Sequence, residues 1–406
     1  MTESNPDGDG RGRVNSIDEW DVAVVGAGPS GATCALVLAR RGHRVLLLDK
    51  ERFPRDKACG DLLIPDAISV MKRLGTYERI RAEAFESGAV TVCSPSGIKF
   101  DVPSEYLTLK RFSLDKLLVD LAVEAGAIFG RAHVTEVESG DSGVEISTSS
   151  NRPEPVRAKF GVLATGGVVD LAMRLGIVIR REPSAVAIRG YVKSQSGPDQ
   201  MVISYDRSLV PGYGWIIPLG NDEYNVGCGI TQGMSADGHH HLKKMLDTFI
   251  TMFPPAVELM RTGEWISKIN GASLRCSLEG TAGVVRGRIV GVGETIGTTF
   301  PFTGEGIGKA MHSGELAALA IGEAIERGDT AALNSYQKRL DEEIKPLYRG
   351  YEVAQKWLSK PWLNDFMARR FVKSRYLQRC LREFMEETGD PRRLYSPLGI
   401  MRSYFE

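Results

Sequence analysis

The feature that most constrains this chain is a glycine-rich turn held between two short apolar strands. Asp21-Val-Ala-Val-Val25 is a β-branched run that reads as a buried strand, and Arg44-Val-Leu-Leu-Leu48 reads as a second, closed by Asp49. Between them Gly26-Ala-Gly28-Pro-Ser30-Gly31 opens an apolar helix pattern (Cys34, Leu36, Val37, Leu38) that stops at Arg40-Arg41-Gly42. A strand–turn–helix–strand unit with GxGxxG in its turn implies an α/β, Rossmann-like domain that binds a dinucleotide. Gly26 makes the tight turn, Gly28 lets a pyrophosphate approach the backbone, and Gly31 lets helix and strand pack closely. The helix start, at Ser30, presents free N–H groups to phosphate. Asp49, with Lys50 beside it, is placed for an adenosine ribose hydroxyl, which suits NAD or FAD and disfavours NADP. The motif alone leaves NAD and FAD open.

A second bare stretch bears on that choice. Gly291-Val-Gly293-Glu294-Thr-Ile-Gly297 imitates a second fingerprint, but Thr298-Thr-Phe-Pro-Phe-Thr303 follows where a helix should begin. The helix starts later, after Gly304-Glu-Gly306, as an alanine-rich amphipathic run from Ile307 to about Arg327. A second helix N-terminus is therefore offered without a second βαβ unit. Reduced isoalloxazine carries negative charge near N1 and the C2 oxygen, which such a terminus stabilises, and glycines let backbone lie against a flat ring. FAD satisfies both halves of the chain.

The motifs together resemble the geranylgeranyl reductase family, a branch of the FAD-dependent p-hydroxybenzoate hydroxylase superfamily. They are GAGPSG near the N-terminus, Phe53-Pro-Arg-Asp-Lys-Ala-Cys59-Gly60-Asp, and the downstream Pro301-Phe-Thr-Gly-Glu-Gly-Ile307. The likeness runs from about Asp21 to Arg327. It implies that Asp49 holds the adenosine ribose, that Cys59 and Gly60 lie beside the flavin, and that Arg111 (in LKRFSLDKLL) contacts FAD. It further implies that Val134 meets adenine through its backbone and that Gly306 and Ile307 offer N–H groups to the pyrimidine end of the ring. Relatives place aspartate where this chain has Glu294. One added methylene keeps the charge and the contact. The turn Ala164-Thr-Gly166-Gly167 likewise has threonine where relatives often have aspartate.

On the substrate side, Pro211-Gly-Tyr213-Gly-Trp215-Ile-Ile217-Pro and Glu223–Ile230 flank a Gly220-Asn-Asp turn and read as a hairpin. Tyr213, Trp215 and Ile217 share one face by period two, an aromatic and apolar wall that resembles the reductase family's YxWxFP motif, with Ile217 where phenylalanine is common. It also partly resembles the WxWxIP motif of flavin-dependent halogenases, with Tyr213 in place of the first tryptophan. The bland alternative is that Trp215 only fills core. PxxKxCG, with Cys59, is typical of the prenyl reductases, although a buried cysteine is also a common packing residue. Cys59, Tyr213 and Trp215 are the candidate catalytic residues, Cys59 and Tyr213 as proton donors.

Composition closes other routes. Lysine plus arginine equals aspartate plus glutamate at 51 each, so no global charge favours nucleic acid. The six cysteines are scattered without a CxxC pair, which argues against a zinc site or disulfide framework and for a reducing cytoplasm. His239-His-His241 reads as a solvated loop rather than a metal site. No apolar run has the eighteen or so residues of a membrane span, and the polar start (residues 1–16) reads as a disordered leader. Residues 343–387 mix Trp357, Trp362, Phe366 and Met367 with Arg369, Arg370, Lys373, Arg375 and Arg379. That suits either a peripheral contact with the inner face of a membrane or ordinary covering helices.

The expected layout is an α/β fold with a discontinuous FAD domain (17–81, 104–176, 287–328). An antiparallel-sheet substrate domain (82–103, 177–286) and a C-terminal helical region (329–406) complete it. The leading function is reduction of C=C bonds in a polyprenyl chain of a lipid, quinone or pigment precursor, with NAD(P)H or ferredoxin as electron donor. The alternatives are a flavin monooxygenase or halogenase on an aromatic or polyketide-like substrate, and a flavoprotein without turnover that serves as a binding partner.

Overall fold

The computed structural model describes residues 20–149, 154–210, 212–231, 238–301, 303–386 and 393–406, with the side chains of 238–241 and 385 outside the description. The expected leader lies outside the described residues. Two sheets organise the chain. The first has eight strands, with Val156–Leu163, Trp20–Val25, Val45–Asp49 and Ile128–Arg131 lying side by side. All of these neighbours are parallel, as is Ile289–Gly291 on the far side of Val156–Leu163. Val22, Ala23, Val24 and Leu46 are fully buried, as a parallel sheet covered on both faces requires. The helix Pro29–Arg40 starts with proline in its first turn and packs across the long helix Ile307–Arg327. The bounds of that long helix are those read from the sequence.

The second sheet has nine strands and is antiparallel at every pairing but one, Met201–Ser204 beside Phe85–Cys93. Its centre is Ala185–Lys193, then the hairpin Tyr213–Gly220 and Glu223–Thr231. The hairpin turn places Asn221 and Asp222 at φ 53° and 61°, the left-handed pair that a two-residue turn between twisted strands needs. The sheets divide the chain slightly differently from the expected boundaries. Leu62–Leu63 and the whole of Lys99–Thr108 belong to the second sheet, and Val285–Arg286 to the first, because strands follow their hydrogen-bond partners. The loop expected at His239–His241 is the first turn of a helix, Gly238–Met252. Its other turns bury Leu242, Leu246 and Phe249, an apolar stripe strong enough to extend the helix back through the polar residues.

Of the C-terminal helices, Pro361–Lys373 and Arg375–Met385 pack on strand Lys99–Thr108 of the second sheet, and Lys345–Leu358 packs on Thr298 and Phe300. Tyr351 stacks on Phe300 with ring centres 4.0 Å apart, and Tyr348 donates to the Thr298 carbonyl at 2.7 Å. Asp365 accepts from Ser94 Oγ at 2.7 Å and from the Ser96 N–H at 2.8 Å. Met367 is core, whereas Trp362 stays 69% exposed. Among the described residues no helix is long and apolar enough to cross a membrane.

Candidate active site

A cavity of about 920 Å³ lies between the two sheets. Its first end is the glycine turn. Gly26 has φ +105°, and a Cβ there would stand 2.2 Å from the Ala164 carbonyl oxygen. A Cβ at Gly31 would stand 1.8 Å from the Gly26 oxygen, so this glycine sits behind the cavity wall and serves packing. Gly28 faces open space, its nearest neighbours being the Nη2 atoms of Arg55 and Arg111, both 3.9 Å from a built Cβ. The three glycines thus divide turn, approach and packing among them. Asp49 accepts from the Ala27 N–H at 2.7 Å and the Glu51 N–H at 2.9 Å, bracing the turn while it lines the cavity beside Lys50 and Val134.

The anion-facing wall rests on one carboxylate. Asp115 is fully buried and binds Arg111 through Nε at 2.6 Å and Nη2 at 2.7 Å. It also binds Arg55 Nη2 at 2.8 Å. Burial works against the charge of Arg111, but the Asp115 carboxylate outweighs it and raises the pKa further above its ordinary value. Two guanidiniums and one carboxylate leave one positive charge at the cavity wall beside Gly28 and Ser30. Arg55 Nη1 is shut off from solvent without a partner.

The second glycine segment supplies the opposite wall. Gly293–Ile296 forms a single 3₁₀ turn ended by Gly297 at φ +80°, which is why no helix begins there. Glu294 faces the cavity. Its Oε1 is closed to solvent and unpartnered, and burial pushes its pKa up against the pull of Lys57 and the Arg275 N–H. Gly166 and Gly167 pack against this carboxyl group, so the longer side chain lies in room the second glycine turn leaves. The helix Ile307–Arg327 then begins at Gly306 with no side chain capping it. Its free N–H groups reach the cavity, which Gly306 and Ile307 line.

The remaining wall is the face of the second sheet. Tyr213, Trp215 and Ile217 all line the cavity, with the Tyr213 and Trp215 rings 5.7 Å apart. Tyr213 donates its hydroxyl to the Thr303 carbonyl at 2.6 Å, and burial pushes its pKa up. The Trp215 Nε1–H donates to Asn225 Oδ1 at 2.9 Å. Asn225 in turn donates to the Cys59 carbonyl at 2.7 Å and to Asp61 Oδ2 at 2.9 Å. Asp61, at φ 61°, also accepts from the Tyr191 hydroxyl and the Arg111 N–H. Trp215 is thus buried in the wall with its N–H tied, through Asn225, to the loop that carries Cys59 and Gly60.

Cys59 lines the cavity next to Arg111. Burial raises its thiol pKa against the opposing pull of that guanidinium, so the sulfur carries its proton at neutral pH. Alkylation of Cys59 by iodoacetamide in the flavin-free protein is expected to have its half-maximal rate at a higher pH than a free thiol. A midpoint below that of glutathione would show an activated thiolate instead.

Every residue expected at the site lines this cavity except Gly31. A set of supporting groups escaped the sequence reading: Arg55, Asp61, Asp115, Arg189, Tyr191 and Asn225. Only Asp115 carried a local signal, its i,i+4 spacing from Arg111 on one helix face. The fit to a flavin dinucleotide can be judged on the residues themselves. Space over Gly28, donors on Arg55 and Arg111, the unpartnered Glu294 Oε1 and an uncapped helix start match a pyrophosphate, a ribityl chain and the pyrimidine end of a flavin. Among the described residues no group of three or more histidine, cysteine or acidic side chains is placed to hold a metal.

Comparison with known proteins agrees. Residues 19–204 match the FAD binding domain family model, and residues 184–271 match the geranylgeranyl reductase catalytic domain. A menaquinone reductase of Mycobacterium tuberculosis is 31% identical over 339 residues, covering 78% of this chain and 79% of that protein. Digeranylgeranylglycerophospholipid reductase 1 of Methanopyrus kandleri is 32% identical over 349 residues, covering 83% and 90%. Among solved structures, a geranylgeranyl bacteriochlorophyll reductase-like protein of Thermoplasma acidophilum superposes with a TM-score of 0.78 at 23% identity, covering 96% of both chains. A flavin-dependent brominase also gives 0.78, at 19% identity over 96% and 98%, so fold alone does not separate the two chemistries. Sequence does: the chain is an FAD-dependent oxidoreductase and belongs to the geranylgeranyl reductase family.

Proposed function

We propose that this chain reduces C=C bonds in the polyprenyl chain of a membrane lipid or quinone. The observation that carries the reading is the cavity wall formed by Tyr213, Trp215 and Ile217, beside the loop that presents Cys59 and Gly60. FAD, when bound, supplies the hydride. The chain's own residues exclude water, hold the alkene flat and provide a proton. The apolar face suits a flexible hydrocarbon, and Cys59, on the cavity wall beside Arg111, keeps its thiol protonated, so Cys59 is the favoured proton donor. Tyr213 is less free, its hydroxyl being held by the Thr303 carbonyl. For the cofactor we assign the glycine turn, Asp49 and Lys50 to the adenosine end, Val134 to the adenine, Arg111 to the pyrophosphate, and Glu294 to the ribityl region. Gly306 and Ile307 then face the flavin ring.

Delivery from a membrane is part of the same reading. Leu398, Met401, Tyr404 and Phe405 stand exposed at the C-terminal end, Phe405 at 84%, with Arg402 among them. Such a mixture of large apolar side chains and a base is what an interfacial contact uses.

The test is anaerobic. Photoreduced protein mixed with a digeranylgeranyl phospholipid or a prenylated quinol in vesicles (a quinol because a quinone ring would itself take two electrons and two protons) is expected to reoxidise, and the prenyl chain to gain two mass units per bond reduced. Vesicle presentation should outpace detergent micelles. A flavin that stays reduced with both prenyl substrates but reacts rapidly with oxygen would replace this reading with an oxygenase or halogenase.

A further inference from the structure

Arg189 is the most costly side chain on the substrate face. It is only 2% exposed and lines the cavity, yet its Nε and Nη1 are shut off from solvent with no hydrogen-bond partner. Only Nη2 is used, donating to Asp56 Oδ1 at 2.6 Å and to the Lys57 carbonyl at 3.2 Å. The guanidinium lies over the Tyr191 ring at 4.2 Å. Buried donors on a charged group are expensive to leave unmatched, so a guanidinium held this way is arranged for an acceptor that arrives later.

Register shows where that acceptor would be. Arg189 pairs across the sheet with Gly227, and Gly227 with Trp215. The indole lies against the bare Gly227 backbone, 2.3 Å from where a Cβ would be. Arg189 and Trp215 thus occupy one row, with no side chain between them. On the other side Arg189 faces Asn270, which donates to Asp56 Oδ2 at 3.1 Å. One end of an otherwise apolar wall is therefore polar.

The charge balance narrows the chemistry. Asp56 already neutralises Arg189, and the Asp61 carboxylate stands close enough to feel its charge. A phosphate would add negative charge to a site that has its counter-ions. A neutral carbonyl oxygen would take the free N–H groups without that penalty.

We propose that Arg189 anchors the head group of the substrate through an uncharged carbonyl, as on a quinone ring, and so sets which prenylated molecule enters. This rests on the reading of the chain as a prenyl reductase. A binding measurement tests it whether or not turnover is seen. The flavin spectrum of wild type, R189M and R189K would be titrated with a prenylated naphthoquinone, geranylgeranyl diphosphate and geranylgeraniol. R189M is expected to weaken the quinone about ten- to hundredfold more than the alcohol, with bound FAD unchanged. R189K keeps the charge but not the directed donors, and should lose most of the same preference; it stands in if R189M fails to fold. A loss confined to the diphosphate and relieved by salt would show a phosphate site instead. Equal loss on all three molecules would show a structural role, and loss of FAD would assign the free N–H groups to the cofactor. Any of the three overturns the proposal. Quinone binding with the expected discrimination but no turnover would leave the anchor standing and sink the reductase reading.

Discussion

Replacing Asp115 by alanine is expected to destabilise the flavin-free protein by about 3–5 kcal/mol, the usual result of removing one partner from a buried ion pair. The effect should sit at the upper end, because the carboxylate serves two guanidiniums, Arg111 at 2.6 and 2.7 Å and Arg55 at 2.8 Å. With Asp115 gone, two like charges face each other beside the glycine turn without compensation. FAD should recover part of the loss, since its pyrophosphate brings negative charge to the same place and binds only the folded state. The measurement is urea unfolding with and without added FAD, together with flavin stoichiometry after purification. A companion variant, R111M/D115L, separates stability from binding. Replacing the pair by apolar side chains should restore much of the stability while FAD retention stays poor. D115A at wild-type stability and full flavin content would remove Asp115 from the account of the cofactor wall.

That carboxylate marks the limit of what could be read from the chain alone. The glycine turn was legible because every part of it is local: two strands, a turn and a helix start within thirty residues. The helix Ile307–Arg327 was legible for the same reason, from its period and the glycines before it. The wall of Tyr213, Trp215 and Ile217 followed from alternation along one strand. Asn225 carried no such signal. It is one residue of the return strand, and its partners Cys59, Asp61 and Trp215 lie 10 to 166 positions away. Arg189 carried no signal either, because arginine is rarely buried. The first helical turn at His239–His241 was read as loop because the apolar stripe that drives the helix begins only at Leu242. Local periodicity yields elements and glycine chemistry. Which polar groups meet across two sheets is decided by topology.

Asn225 supports the most demanding of the expected results. It is fully buried and both polar atoms of its side chain are bonded, Oδ1 accepting from Trp215 and Nδ2 donating to Cys59 and Asp61. N225A leaves an indole N–H and a carbonyl unmatched and takes one donor from a buried carboxylate, at about 1–3 kcal/mol for each unsatisfied group. The loop from Lys57 to Asp61 then loses its main tie to the substrate face, so prenyl reduction should fall more than tenfold while FAD stays bound through the untouched arginine wall. N225D makes the same point through pH. A second carboxylate against Asp61 forces the pair to share a proton, which raises the pKa of the pair in the folded state. Burial already raises that of Asp61 in the wild type. Between the unfolded value, about 3.9, and the raised folded value the folded state holds more protons, so stability falls as pH rises through that window. N225D is therefore expected to be closest to wild type near pH 5 and to fall progressively behind it towards pH 8. Unfolding curves for the two proteins that stay parallel across that range would show that Asn225 and Asp61 are not electrostatically coupled, and the loop would need another anchor.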